Sequence, residues 1–247
     1  MADRFKDKVV LVTGGSSGIG QATAVTFARE GARVVFTYHK SKRGALETGE
    51  LIRKEGMQSR ALELDHTSAK DREKVFAVIE QEYGELDVLV NNAGGSTGDS
   101  FEEIACEKTF ANNCFGPIQC VQLAIPLLKK SFGTIVNVTS AYGIEHCGSK
   151  EFPAYSAAKA ALNSATRTMA KELAPTVRIN AVAPGYVETP LWGPLTEKQK
   201  QEYGAHQLIN RFIQPEEIAE AILFVAGNEA ITGEVLVIDG GISLKTL

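Results

Sequence analysis

Seven short runs dense in β-branched residues are spaced along the chain, and a helical pattern lies between most of them. "KVVLVTG", "RVVFTY", "RALELD", "LDVLVNNAG", "GTIVNVTS", "VRINAVAPG" and "EVLVIDGG" each read as a strand. Their apolar residues are nearly continuous, as in strands covered on both faces. The stretch "TSAKDREKVFAVIEQEYG" carries Ser68 as an N-cap, Val75, Val78 and Ile79 at helical spacing, and Gly84 as a stop. This alternation predicts an α/β chain with a seven-stranded parallel sheet, helices on both faces and right-handed crossovers. No linker rich in Pro, Ser or charge interrupts it, so residues 1–247 read as a single doubly wound, Rossmann-like domain.

In such a sheet ligands bind beyond the carboxyl ends of the strands. Here those ends are "TGGSSGIG", "TYHKS", "LDHT", "NNAG", "VTSAYG" and "APGYVET", crowded with glycine and small polar residues. The first is a glycine turn between a strand and a helix, with Gly14, Gly18 and Gly20 in the spacing G-x-x-x-G-x-G. Glycines permit a tight turn and close backbone approach, and the helix start offers free N–H groups to a pyrophosphate. A glycine turn without a ligand is the alternative reading.

A second feature is "EFPAYSAAKAALNS", which puts Tyr155 and Lys159 four residues apart on one helix face. Tyr and Lys at neighbouring surface positions are common on amphipathic helices. The chemical reading is that the ammonium lowers the phenol pKa from about 10 toward the working pH, so that it exchanges a proton with a substrate oxygen.

Composition excludes several classes. The net charge of −4 lacks the basic surplus of a nucleic-acid or anionic-membrane binder. The stretch "MADRFKDKVVLVTGG" has no apolar run long enough for a signal sequence, so none is expected, and no apolar run approaches a membrane span. Cys106, Cys114, Cys120 and Cys147 form no CxxC pair and read as reduced thiols of a cytoplasmic protein. His39, His66, His146 and His206 lack ligand spacing, so no metal site is expected.

Thr13 to Gly20, Asn91 to Gly94, Ser140, Tyr155 to Lys159 and Pro184-Gly185 occur in this order. Together they resemble the short-chain dehydrogenase/reductase family, in its compact branch, over essentially the whole chain. Within it the sequence is similar to 3-oxoacyl-carrier-protein reductases and glucose dehydrogenases. The resemblance implies hydride transfer between a nicotinamide and a carbonyl or alcohol carbon, with Tyr155 as general acid or base. Lys159 would lower the phenol pKa and bond the nicotinamide ribose, Ser140 would hold the substrate oxygen, and Asn113 would support a proton relay. The family spacing of Asn, two residues, then Gly selects Asn113 over Asn112. The cofactor contacts carried over are Gly14, Ser16, Ser17, Gly18, Ile19, Gly20, Asn91, Ala93, Gly94, Pro184, Gly185, Val187 and Thr189. Asp65 would reach the adenine amino group. The resemblance also implies a substrate lid at about 190–211 and a homodimer or homotetramer joined through the alanine-rich helix. That helix fits packing on its own sheet equally well. Leu191, Trp192, Leu195 and Tyr203 fit either an apolar substrate wall or ordinary packing. The loop between Ser140 and Tyr155 is longer than the family's usual and forms one wall of the cleft.

Enzymes of this fold that prefer NAD place an acid near the end of the second strand. Here Tyr38 stands there, no Asp or Glu occurs from Gly31 to Leu46, and His39, Lys40, Lys42 and Arg43 follow. A basic loop suits a 2′-phosphate, so NADP(H) is the expected cofactor, with NAD(H) use open. A solvated basic loop is the alternative. The competing class for the whole chain is a dinucleotide-binding scaffold without turnover, which has no need of Asn113, Ser140, Tyr155 and Lys159 together. Last, a helical pattern from about Phe101 to Lys130 contains Pro117. In an α-helix Pro117 frees the Asn113 carbonyl, and a water is its natural partner.

Overall fold

The computed structural model describes residues 3–95 and 106–245. Its strands are β1 (Val9–Val12), β2 (Arg33–Tyr38), β3 (Ser59–Glu63), β4 (Val88–Asn91), β5 (Thr134–Val138), β6 (Arg178–Pro184) and β7 (Val235–Ile238). They fall on the seven expected runs and form one parallel sheet in the order β3-β2-β1-β4-β5-β6-β7. The helices are α1 (Gly18–Arg29), α2 (Lys42–Lys54), α3 (Ala69–Tyr83), α4 (Cys106–Phe110), α5 (Gly116–Ser131), α6 (Pro153–Leu173), α7 (Glu197–Gly204) and α8 (Pro215–Gly227).

The two-residue period of the strands sorts the core into two layers. Val10, Val12, Val34, Phe36, Val90 and Val136 face α1, α2 and α8. Val9, Leu11, Val35, Leu89, Ile135 and Ile179 face α3, α5 and α6. β1, β4 and β5 are buried along their whole length, which is why their sequences do not alternate. The edge strand β3 exposes Arg60 and Glu63 to solvent. α3 begins and ends where its sequence indicates. Ser68 accepts the Asp71 N–H, and Gly84 takes the left-handed conformation at φ 76°. Among the described residues no helix is long and apolar enough to cross a membrane.

β1 lies between β2 and β4, so the chain leaves it first toward one edge and later toward the other. The crevice beyond the carboxyl ends of β1 and β4 is the switch point where ligands bind in this architecture.

The path around Pro117 departs from the expected α-helix. Phe101 to Ala105 lie outside the described residues. After α4 the segment Ala111–Phe115 is a π-turn, in which the Gly116 N–H bonds the Ala111 carbonyl. In that i→i+5 register the N–H missing at Pro117 falls opposite Asn112, not Asn113. The Asn112 carbonyl instead receives His66 Nε2 at 2.8 Å. The carbonyl that Pro117 leaves free is therefore that of Asn112, one residue earlier than the α-helical reading places it, and its partner is an imidazole. Gly116 makes room for it, because a Cβ there would come within 2.4 Å of His66 Cδ2.

Candidate active site

A cleft of about 840 Å³ opens at the switch point. Its floor begins at the glycine turn. Gly14 N donates to Thr37 Oγ1 at 3.1 Å and Gly15 N to the Thr37 carbonyl at 2.7 Å, which draws the turn against β2. Asn92 Nδ2 donates to the Thr13 carbonyl at 2.9 Å, tying the turn to the end of β4. Gly20 packs α1 onto the turn, since a Cβ there would lie 2.3 Å from the Gly14 carbonyl oxygen. Ser17 stands at the N-cap of α1 with no side-chain capping bond. The first N–H groups of the helix therefore remain available to a ligand, with the positive end of the helix dipole behind them.

Of the expected cofactor contacts, Gly14, Ser16, Ser17, Gly18, Ile19, Tyr38, His39, Lys40, Ala93, Gly94, Pro184, Gly185, Val187 and Thr189 line this cleft. Six expected residues do not. Gly20 is a packing glycine. Asn91 is buried, donates to Asn137 Oδ1 at 3.0 Å and braces β4 against β5, while its neighbour Asn92 lines the cleft. Lys42 and Arg43 stand on the first turn of α2, exposed to solvent, with Arg43 Nε paired to Glu47 at 2.8 Å. Asp65 turns to Thr67, accepting its N–H at 2.9 Å and its hydroxyl at 2.7 Å, which holds its carboxyl below the usual range. Leu64 and His66 on either side of it line the cleft instead. Asn113 is fully buried beneath the cleft wall. Its Nδ2 donates to the Gly95 and Thr109 carbonyls, each at 3.0 Å, and its Oδ1 accepts the Gly95 N–H at 3.0 Å.

At the inner end of the cleft, Ser140, Tyr155 and Lys159 come together. Ser140 caps a short 3-10 turn, Ala141–Gly143, that leaves β5. Lys159 is 3% exposed, and its Nζ donates to the Val138 carbonyl at 2.9 Å and sits 5.6 Å from the Tyr155 ring centre. The expected acidification of Tyr155 by Lys159 is not what the site displays. Burial pushes the phenol up to about 12, against a lowering hydrogen bond from Ser140. Burial also pulls Lys159 down to about 8, with buried Cys114 opposing. Two groups at the same place thus have their neutral forms favoured.

Several cleft residues lay in the stretches named above but were not singled out individually as contacts. Tyr142, Glu151, Phe152, Tyr186, His66 and Asn92 also line the cleft. Tyr142 follows Ser140 by two residues and Tyr186 follows Pro184-Gly185, so adjacency to those motifs was the available clue. Trp192 and Tyr203 meet both open readings at once. They line the cleft and pack on each other at 4.9 Å between ring centres.

The profile of the family described as Enoyl-(Acyl carrier protein) reductase matches residues 14–243. The 3-oxoacyl-[acyl-carrier-protein] reductase FabG of Thermotoga maritima is 38% identical over 259 residues, covering 97% of this chain and 99% of that protein. A Caenorhabditis elegans short-chain dehydrogenase/reductase of unknown function, solved with cofactor, superimposes with a TM-score of 0.91 at 34% identity, covering 98% and 97% of the two chains. Acetoin dehydrogenase YohF of Salmonella typhimurium superimposes with a TM-score of 0.87 at 32% identity, covering 97% of each chain.

Proposed function

The chain belongs to the short-chain dehydrogenase/reductase family and is an oxidoreductase, and we propose that it interconverts a ketone and its secondary alcohol with NADP(H) preferred. The carrying observation is the meeting of Ser140, Tyr155 and Lys159 at the inner end of a cleft that starts at the glycine turn. The residues fit a dinucleotide. The uncapped start of α1 suits the pyrophosphate, and the loop from Tyr38 to Ser41 lies at the ribose end with Lys40 as its cation. When bound, the nicotinamide supplies or accepts the hydride.

The neutral Tyr155 phenol is in the right state to give its proton to a carbonyl oxygen during reduction. Ser140 holds that same oxygen. Lys159, charged below about pH 8, favours the phenolate as the proton leaves. Asn113 holds the backbone of Gly95, and with it Gly94, where a Cβ would come within 3.6 Å of Lys159 Nζ. The segment 190–211, with α7 in it, is the part of the chain suited to act as a lid, and Leu191 on it is exposed over the cleft. A homodimer or homotetramer and a cytoplasmic location belong to the same proposal.

Tyr155→Phe is expected to lower kcat for ketone reduction by roughly 10²–10⁴, with NADPH affinity by fluorescence titration nearly unchanged. Turnover within about twofold of wild type would remove Tyr155 from the reaction.

A further inference from the structure

Two phenols at the reacting end of the cleft have no part in the chemistry above. Tyr142 and Tyr186 place their hydroxyl oxygens 2.6 Å apart, both half-buried and both lining the cleft with Ser140 and Tyr155. They come from different elements. Tyr142 lies on the 3-10 turn after β5, with its N–H on Ser140 Oγ at 3.2 Å, and Tyr186 follows β6.

Their positions are firmly set. Tyr142 stacks on Phe152 at 6.2 Å. Tyr186 is edge-on to Trp192 at 5.1 Å, and its N–H donates to Gln207 Oε1 at 2.9 Å. Two hydroxyls carry two protons, and the bond between them uses one. Tyr142 has Ser149 as a second side-chain partner. Among the described residues the Tyr186 hydroxyl has no hydrogen-bond partner except Tyr142. The half-buried Tyr186 phenol, which lines the cleft among Trp192, Tyr203, His206 and Phe212, is thus left with one unused polar valence. Purely apolar packing would be served as well by phenylalanine. A phenol pair is instead a hydrogen-bonding station for an oxygen.

We propose that the Tyr142–Tyr186 pair binds a second oxygen of the substrate, so that the preferred substrates are ketones carrying a hydroxyl or carbonyl oxygen close to the reacting carbonyl. This rests on the reading of Ser140 and Tyr155 as the reacting end. It makes Tyr186 a specificity-determining residue, because an unsubstituted ketone leaves the half-buried phenol without an acceptor or donor.

The test compares kcat/KM with NADPH for butane-2,3-dione, 3-hydroxybutan-2-one and ethyl 3-oxobutanoate against butan-2-one and pentan-2-one. In wild type, Tyr186→Phe and Tyr142→Phe, the quantity read is the ratio between the two groups, which cancels their intrinsic reactivities across variants. Removing the donor to an oxygen held in a half-buried site is worth about five- to hundredfold. Tyr186→Phe is expected to lower the ratio by that factor, and Tyr142→Phe by a smaller one. Thermal midpoints of both variants verify folding. An active wild type whose ratio stays within about twofold in Tyr186→Phe overturns the phenol-pair proposal and leaves the site reading intact. A wild type that reduces none of the five ketones overturns the site reading, and the phenol pair with it.

Discussion

Lys159 is a cation held out of water, bonded to one carbonyl and set against a phenol. Its folded pKa, about 8, lies below its ordinary value of 10.5. Between those values the unfolded chain binds more protons than the folded one. The stability that a neutral lysine contributes is therefore present above about 10.5 and lost as pH falls through about 8. Near pH 7 the buried charge opposes folding by an amount on the order of 3 kcal/mol. Lys159→Met removes that penalty and leaves the Val138 carbonyl unpaired, which returns about 1–3 kcal/mol. The sign at one pH is a near balance, but the pH dependence is not. Urea midpoints are expected to move in favour of Lys159→Met between pH 10 and pH 7. A difference from wild type that is constant over that range would mean the lysine does not titrate as its burial dictates. The adjacency of Tyr155 and Lys159 was readable from their spacing. The upward displacement of the phenol pKa was not, because it depends on how much water the folded cleft excludes.

At the scale of elements, the π-turn Ala111–Phe115 is the clearest case of a local break made good by a distant residue. Pro117 removes a donor, the register shifts by one, and His66 from the loop between β3 and α3 supplies the bond 46 residues away in sequence. Arg72 Nη1 in turn holds the His66 carbonyl at 2.7 Å, so α3 fixes the segment that fixes the turn. His66→Leu should leave the Asn112 carbonyl unpaired and lose about 1–3 kcal/mol of stability. Pro117→Ala in the same chain restores an N–H opposite that carbonyl. The double variant is expected to recover most of the loss, a coupling read from a double-mutant cycle in urea. Additive effects would show that the imidazole fills no gap in the ladder. The proline was visible in the sequence and so was the need for another donor. Its identity was not, since a histidine in "LDHTS" gains meaning only when the loop before α3 and the π-turn are brought together.

At the scale of the whole molecule, all seven strands contribute ends or following segments to one cleft, so ligand binding is coupled to the stability of the entire sheet. A ligand at about a hundred times its dissociation constant adds about 2.7 kcal/mol, which for a chain of this size is a rise of roughly 5–10 °C in Tm. NADPH is expected to give a rise of that order and NADH a smaller one at equal concentration. A larger rise with NADH would overturn the preference assigned to Lys40. The sequence by itself determined the class of the fold, the number of strands, the cap and stop of α3, and the glycine turn. Each of these follows from neighbours within a few residues: side-chain period, backbone freedom and capping chemistry. It also marked Ser140, Tyr155 and Lys159, because motif and spacing are local too. Tertiary structure alone decided which glycines cradle and which pack, and that Asn92 rather than Asn91 lines the cleft. It also placed Lys42 and Arg43 outside the cleft, and brought Tyr142 and Tyr186 within a hydrogen bond of each other across 44 residues of chain. The physical reason is that burial and long-range hydrogen bonding are properties of the space between elements, and that space exists only once the sheet has ordered its strands.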